Sequence, residues 1–554
     1  MKIALISMEV IPGRPDLNAA HMHEKIAAAK AAHADLAVFP ALSLSGLFLG
    51  NVWHQKAFLR DLADYAEEIA TAADGIAVVF GNAAETKSCM GVCRTLMEVR
   101  GDVLRAVAHS PLHGAGNHFA PLLYELPDEN IILAADASPF PICFGAGSLA
   151  ETAREKGKAI FYVNTLGLQD KGKTVYAFPG RVHVFNAAGV RVTMSPAYAE
   201  GMTVIDTEQL SSAHRPKEEP RIAPIYRTIR YAVQKFLARI HMKRVVIGIS
   251  GGIDSAVAAA LYVDAIGAEN VLLVNMPSRF NSATTKGLAA QLAENLGCRH
   301  MIVPIEESVN HTVTQLTEVP IMGKAAAAGE HLTISPFVRE NIQARDRSGR
   351  VLSAVAAAWG AGFTCNANKA ESTVGYATLY GDQAGFLAAL ADLWKHEVYA
   401  LAHHLNAEVY GREVIPQGII DIVPSAELSD AQNVDEGKGD PIHYPYHDFL
   451  FRAFVEEDRL PEDILAHYAD GDLDAYIGCE NGLAAAYFPT AEDFIADLER
   501  WWNLYTGMAV AKRIQAPPLL SVSGRAYGAD HPESQIGAYE TIAYRALKEK
   551  LLRK

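Results

Sequence analysis

The 554-residue chain has few cysteines, six in all. Cys89 and Cys93 stand four apart, and no second pair accompanies them at a zinc-ligand spacing. Cys143, Cys298, Cys365 and Cys479 are scattered. That pattern excludes a disulfide framework and predicts free thiols in a reducing cytoplasm. A long apolar run is also missing, so no transmembrane helix and a cytoplasmic location are expected. The opening MKIALISMEV has one lysine and no small-residue cleavage site behind it, so it is not read as a signal peptide. Basic excess is absent as well. A net charge of −15 argues against a nucleic-acid-binding surface. It leaves nucleotide binding open, because a local cluster of amides and cations suffices for that. No internal repeat or low-complexity tract appears.

What is present is apolar residues at half of all positions, enough for sizeable cores. The length suits two to four domains of about 100–200 residues each. Up to Asp206 the chain alternates strand-like runs (Ile3–Ser7, Leu36–Phe39, Ile76–Gly81, Ile131–Ala134, Ala159–Val163, Arg181–Phe185) with helical ones (His23–Ala34, Phe58–Ala73). Such alternation predicts a layered α/β domain over 1–206. Residues 207–224, rich in proline and charge, read as a linker. Over 225–554 a second α/β domain is expected: an amphipathic helix at Ile225–Ile240, a buried strand at Arg244–Ile249, a helix at Asp254–Ile266 and a strand at Val271–Asn275.

The strongest chemical signal is Ser250-Gly251-Gly252-Ile253-Asp254-Ser255, directly after that buried strand. Two glycines let backbone N–H groups close on a phosphate. The hydroxyls of Ser250 and Ser255 can donate to phosphate oxygens, and the next helix points its positive end at the same anion. Asp254 stands where a carboxylate could hold Mg²⁺ beside the phosphates. A lone Ser-Gly-Gly turn would merely cap a helix. A strand, this loop and an alanine-rich helix in succession resemble the loop of ATP pyrophosphatases, which release AMP and pyrophosphate. The lysine of a Walker A loop is missing.

Segments further on narrow the resemblance. Asn341-Ile342-Gln343-Ala344-Arg345, then Arg347, are followed by Asn368-Lys369-Ala370-Glu371 and by Gly375-Tyr376-Ala377-Thr378-Leu379-Tyr380-Gly381-Asp382. Lys395, Pro424-Ser425-Ala426-Glu427-Leu428 and the tail Lys512–Pro518 come next. In this order they resemble the NIQAR, NKSE, GYATLYGD and PSAEL segments of NAD synthetases. The resemblance implies a doubly wound, Rossmann-like parallel sheet. It also implies an AMP-forming amidation of nicotinate adenine dinucleotide (deamido-NAD) to NAD through an acyl-adenylate. Ser250, Gly251, Gly252, Asp254, Ser255 and Asn366 would hold ATP, the co-substrate. Asp254 and Glu371 would bind Mg²⁺. Asn341, Arg345, Asp382 and Lys395 would lie around deamido-NAD, with Asp254, Asp382 and Lys395 catalytic. Metal ions with lysine and arginine suit a reaction that joins two anions. Asn366 stands where the family commonly has threonine, which puts ATP affinity in question. Asp346 adds a negative charge beside Arg345.

The first domain resembles the nitrilase-like αββα glutaminase of long NAD synthetases. Asp35–Pro40 with Leu42–Gly46 is similar to FPELSLTGY, Ala137–Phe140 to NASPF, and Tyr162-Val163-Asn164 with Gly167, Gln169 and Asp170 to YVNxVGGQD. That family works through a Glu-Lys-Cys triad. Here the glutamate position is Ala41, Val107–His113 has no lysine, and His113–Asn130 has no cysteine. No partner can be assigned to Cys89, Cys93 or Cys143. A thiol needs a base to become a nucleophile, so a pseudo-glutaminase is expected, with ammonia arriving free or from a supplying protein. The alternatives are a glutamine-dependent enzyme with a rearranged site, a ligase for another carboxylate, or a non-catalytic nucleotide-binding paralogue. The resemblance also implies a homodimer through the synthetase domain, extended to larger homo-oligomers by the first domain. No membrane or nucleic-acid partner is expected.

Overall fold

The computed structural model describes residues 1–86, 91–112, 119–142, 146–215 and 217–553. The chain divides into two compact units, Met1–Lys235 and Phe236–Lys554.

In the first unit, apolar runs flanked by turn residues become strands. The chain runs through β1 (Lys2–Ser7), α1 (Pro15–Ala31), β2 (Leu36–Val38), α2 (Lys56–Ala72), β3 (Ala77–Thr86), β4 (Gly91–Arg100) and β5 (Val103–Pro111). Next come β6 (Leu122–Glu125), β7 (Ile131–Asp136), α3 (Ala146–Lys156), β8 (Ala159–Asn164) and the antiparallel pair β9 (Leu166–Lys171) and β10 (Thr174–Pro179). The unit continues with β11 (Val182–Phe185), β12 (Arg191–Met194) and β13 (Gly201–Asp206). One sheet has the order β13-β1-β2-β3-β4-β5 and another β12-β11-β8-β7-β6. The two face each other where β1 meets β8 and β11. Ile3, Leu5, Leu133, Phe161 and Val184 are part of the core they share. Outside, α1 and α2 bury Met22, Ile26, Leu62 and Ile69, while α3 covers Ile160 and Tyr162. The expected αββα architecture is present.

The long β4–β5 hairpin was not anticipated from the sequence pattern. Its β4 carries Glu98 fully buried, an unusual strand residue, with Arg105 2.6 Å away to offset the charge. The expectation of free thiols also needs correction: Cys93 is disulfide-bonded, whereas Cys298, Cys365 and Cys479 are free. Cys89 and Cys143 lie outside the described residues.

Helix α4 (Ile222–Arg239) leads into the second unit. There β14 (Val245–Gly248), α5 (Ile253–Ile266), β15 (Val271–Asn275), α6 (Ala283–Leu296) and β16 (Arg299–Ile302) follow one another, then α7 (Glu306–Glu318), α8 (Pro336–Arg345), α9 (Ser353–Trp359) and β17 (Gly362–Phe363). All strand pairs are parallel, in the order β16-β15-β14-β17. Helix α5 packs on β14 and β15, and Leu352 and Ala356 pack beneath Val246 and Val274 on the other face. This is the doubly wound sheet expected. The order reverses at β14, and ligands in such sheets sit beyond the strand ends at the reversal.

The remainder is largely helical: α10 (Lys369–Val374), α11 (Lys395–His404), α12 (Gln417–Asp421), α13 (Tyr444–Glu456), α14 (Pro461–Asp470), α15 (Leu473–Ile477), α16 (Leu483–Tyr487), α17 (Ala491–Thr506), α18 (Met508–Gln515), a short β18 (Leu519–Ser521) and α19 (Ile542–Leu552). Phe451, Trp501 and Tyr446 are in their shared core. Among the described residues no helix is long and apolar enough to cross a membrane.

Candidate active site

At the end of β14 the chain turns through Ile249–Gly252 into α5. Gly251 has φ +92, and a Cβ there would stand 2.3 Å from the Thr285 carbonyl oxygen, so only glycine fits. Ser250 Oγ accepts from the Gly252 N–H at 3.1 Å, and Ser255 Oγ donates to the Gly252 carbonyl at 3.0 Å. These bonds hold the loop shape. Gly252 caps α5 with no side-chain acceptor for the first-turn N–H groups. Those donors are available to an anion, which the helix dipole also favours.

A cavity of about 580 Å³ opens over this loop. Ser250, Gly252, Asp254, Ser255, Asn341, Asn366, Glu371, Asp382 and Lys395 all line it. Asn366 donates to the Gly248 carbonyl at 3.2 Å and accepts from Thr364 Oγ1 at 2.8 Å, so its amide is fixed against β14. Asn341 accepts from Thr378 Oγ1 at 2.9 Å.

Three charged groups converge at its floor. Lys395 Nζ is 2.5 Å from Asp254 Oδ2 and 3.6 Å from Glu371 Oε1, and it lies 4.8 Å from the centre of the Tyr444 ring. Asn368 Nδ2 donates to both carboxylates, at 3.1 Å to Asp254 Oδ1 and 2.8 Å to Glu371 Oε1. Asn368 and Glu371 also form the capping box of α10, so that helix start fixes the Glu371 carboxylate. Burial, then the neighbouring Asp254 charge, pushes Glu371 up to about 8. Burial alone would lower Lys395, but Asp254 and Glu371 reverse this and raise it, so it stays ammonium. Burial also raises Asp382, whose Oδ1 accepts the Thr378 N–H at 2.7 Å.

Three residues fall elsewhere than a reading of the motifs suggests. Arg345 is exposed, donates to the Leu379 carbonyl at 3.0 Å and does not line the cavity. Arg347 lines it instead, held by the Met276 carbonyl and Asn281 Oδ1 at 3.1 Å each and pushed down to about 10 by burial. Asp346 accepts from Arg350 at 2.7 Å and Ser308 at 2.8 Å, so its charge is matched away from the cavity. Gly251 shapes the loop without lining the cavity. Residues given no role from the motifs also take part. Asp440 accepts from Tyr376 OH and the Ala426 N–H at 3.1 Å each. Glu427 accepts from the Ser282 N–H at 3.1 Å and Thr285 Oγ1 at 2.7 Å. Asp440 sits in a charged loop with no recognisable motif, so only the fold reveals it.

Among the described residues no group of three metal-ligating side chains could hold an ion unaided. Asp254 and Glu371 nonetheless suit Mg²⁺ that arrives with ATP, since that ion usually takes one or two carboxylates plus phosphate oxygens. Burial and then the Asp254 charge raise Glu371, and a cation there would offset both.

The sequence comparisons agree with this geometry. A family profile described as NAD synthase matches residues 225–473. The glutamine-dependent NAD(+) synthetase of Xylella fastidiosa (strain Temecula1 / ATCC 700964) is 32% identical over 421 residues, spanning 74% of this chain and 69% of the relative. The enzyme of the same name from Rhodobacter capsulatus is 30% identical over 513 residues, spanning 84% of this chain and 90% of the relative.

The chain belongs to the NAD synthetase family.

It is thus an NAD synthase by descent, with ATP as co-substrate in keeping with that family. Two solved NAD synthetases share its fold. The Acinetobacter baumannii glutamine-dependent NAD+ synthetase, in complex with ADP, has a TM-score of 0.64 at 24% identity over 97% of this chain and 98% of that one. The Cytophaga hutchinsonii glutamine-dependent enzyme has a TM-score of 0.75 at 14% identity over 100% and 99%. Both span the first unit as well as the synthetase unit.

In that first unit, Ala41 is fully buried. Its N–H donates to the Asp136 carbonyl at 3.2 Å in the backbone, and its carbonyl accepts from Thr165 Oγ1 at 3.1 Å. Upstream of Ala137–Phe140, β6 and β7 pair antiparallel as a hairpin, Leu122 opposite Ala135. Residues 113–118 of the expected nucleophile stretch lie outside the described residues.

Proposed function

We propose that the second unit converts deamido-NAD to NAD with Mg-ATP and ammonia, releasing AMP and pyrophosphate. The observation that carries this reading is the convergence of Asp254, Glu371 and Lys395 at the mouth of the Ser250–Gly252 loop. The loop amides and the Ser250 and Ser255 hydroxyls bind ATP phosphates, and Asn366 fixes the nucleotide against β14. Asp254 and Glu371 hold Mg²⁺, which when bound offsets phosphate charge. Lys395 then faces the α-phosphate and the substrate carboxylate, two anions whose mutual repulsion a buried ammonium lowers. A carboxylate oxygen of deamido-NAD bonds to the α-phosphorus as pyrophosphate departs. Ammonia next bonds to the acyl carbon, AMP leaves, and a proton is lost. Asp382, whose proton affinity is raised by burial, accepts that proton. Asn341 and Arg347 orient the dinucleotide, with Arg347 in the role the motif assigned to Arg345. Exposed Phe337 and Leu504 line the cavity, and a second copy of the unit covers them in a homodimer.

The source of ammonia divides the observations. Buried Ala41 at the glutaminase base position, and Cys93 bound in a disulfide, favour ammonia supplied from outside this chain. The names of the relatives favour the other reading, a glutamine-dependent enzyme with a rearranged glutaminase site, and they weigh more than the ammonia-only reading does. The non-catalytic alternative has no such support. Two assays test the proposal. AMP and pyrophosphate should appear in equal amounts only when deamido-NAD is present, and release of ADP instead would sink the adenylation step. Glutamate released from glutamine would carry the second reading, and its absence the first.

A further inference from the structure

The outer face of the β12-β11-β8-β7-β6 sheet carries a group of cationic side chains that the synthetase reaction does not use. The His183 ring on β11 lies against Tyr162 and, at 6.2 Å, Phe185, both in the cluster that α3 covers with Leu149 and Ile160. Arg181 stands just before β11, close enough for its charge to act on both His183 and Arg191. On β12, Val192 belongs to the inner core, which turns the neighbouring Arg191 to the same outer side. The Arg191 guanidinium lies 5.5 Å from the centre of the Phe185 ring, and the Tyr162 and His183 rings are 5.6 Å apart. His214 is tied to this edge through its N–H, which donates to the Arg191 carbonyl at 2.7 Å.

Three buried side-chain nitrogens here have no hydrogen-bond partner: Arg181 Nε, His183 Nδ1 and Arg191 Nε. His183 is only 6% exposed. A buried polar nitrogen without a hydrogen bond costs about 1–3 kcal/mol, and three in this group call for an ion or water that completes them. The groups also act on one another. Burial first, then the fields of Arg191, Arg181 and His214, pushes His183 down to about 3. Burial and Arg181 lower Arg191. No carboxylate is among the groups that shift either of them.

We propose that Arg181, His183 and Arg191 form a binding site for a phosphate-type oxyanion on the first unit. Two guanidinium donors and one imidazole donor suit an anion with several acceptor oxygens, and charge-assisted bonds to arginine are the strong ones. The anion reverses the mutual repulsion of the cations and satisfies all three nitrogens. Free phosphate, pyrophosphate and a nucleotide phosphate share this chemistry. The site does not depend on the synthetase reading, since every residue in it lies in the first unit.

The test reads His183 itself in the full chain, so that anions held in the synthetase cavity do not interfere. The His183 ring signal, assigned in a histidine-labelled sample with His183→Gln, is followed by NMR. Inorganic phosphate, pyrophosphate and ATP are titrated separately, with glutamate as the carboxylate control. The expected result is a saturable shift with one or more phosphate ligands, weakened about tenfold or more in Arg191→Gln. The ligand with the tightest response identifies the source. No saturable shift with any phosphate ligand overturns the site, as does an equal response in Arg191→Gln. A response to glutamate alone overturns the ligand class. Should Arg191→Gln fail to fold, the wild-type titration still decides, and Arg181→Gln supplies the second variant.

Discussion

Lys395 Nζ stands 2.5 Å from Asp254 Oδ2, and so joins α11 to the first turn of α5 at the point where the Ser250–Gly252 loop ends. Asp254→Asn keeps the shape and the acceptor for Asn368 but removes the charge that a cation needs. It is expected to lower kcat/KM for NAD formation by about a hundredfold or more, with folding retained. Lys395→Met should do the same. Steady-state kinetics beside a thermal melt checks both, and a near-wild-type rate in either would remove that residue from the catalytic set.

Gly251 can be tested with a single methyl group. In Gly251→Ala the new Cβ meets the Thr285 carbonyl at 2.3 Å while φ stays at +92. Strain of about 1–3 kcal/mol is expected, relieved only by moving the loop. ATP should bind more weakly by isothermal titration, with a lower melting temperature. Unchanged affinity would mean that the loop shape does not serve the phosphates.

Lys369 neighbours the active-site residues in sequence yet has a different task. It is fully buried, 2.8 Å from both Asp392 and Glu456. Lys369→Met strands two carboxylates and should cost about 3–5 kcal/mol in chemical denaturation. A stable variant that lost only activity would argue that this lysine acts on substrate instead.

The first unit should be acid-sensitive through His183. Burial holds its folded value at about 3, with Tyr162, Arg181, Arg191 and His214 around it. The unfolded chain therefore binds a proton that the folded one refuses, and stability falls as pH drops below about 6.5. Between about pH 6.5 and about pH 5 the loss is about 2 kcal/mol in phosphate-free buffer. His183→Gln should flatten that slope, as read from urea melts at both values. A slope unchanged in the variant would assign the acid sensitivity to other groups.

Parts of this site were legible in the sequence because they are local. Strand, Ser-Gly-Gly loop and helix follow within a few residues, so Ser250, Asp254 and Ser255 could be named at once. Lys395 and Glu371 could be named only by resemblance, since the fold brings them to Asp254 across more than a hundred residues. Arg345, named from the resemblance, is exposed at the end of α8 while Arg347, two residues on, lines the cavity, and a linear motif does not say which of the two faces inward. In the first unit, β4 escaped a pattern search because buried Glu98 and Arg94 interrupt the apolar run, and their partners Arg105 and Ser110 come from the next strand.

The most direct measurement is NAD formation from deamido-NAD and Mg-ATP, run with ammonium chloride and, in parallel, with ammonia-free glutamine. The account predicts NAD with ammonium, and NAD with glutamine as well unless buried Ala41 marks a lost glutaminase base. Equal rates with glutamine would contradict that reading of Ala41, and no NAD from either nitrogen source would contradict the synthetase assignment itself.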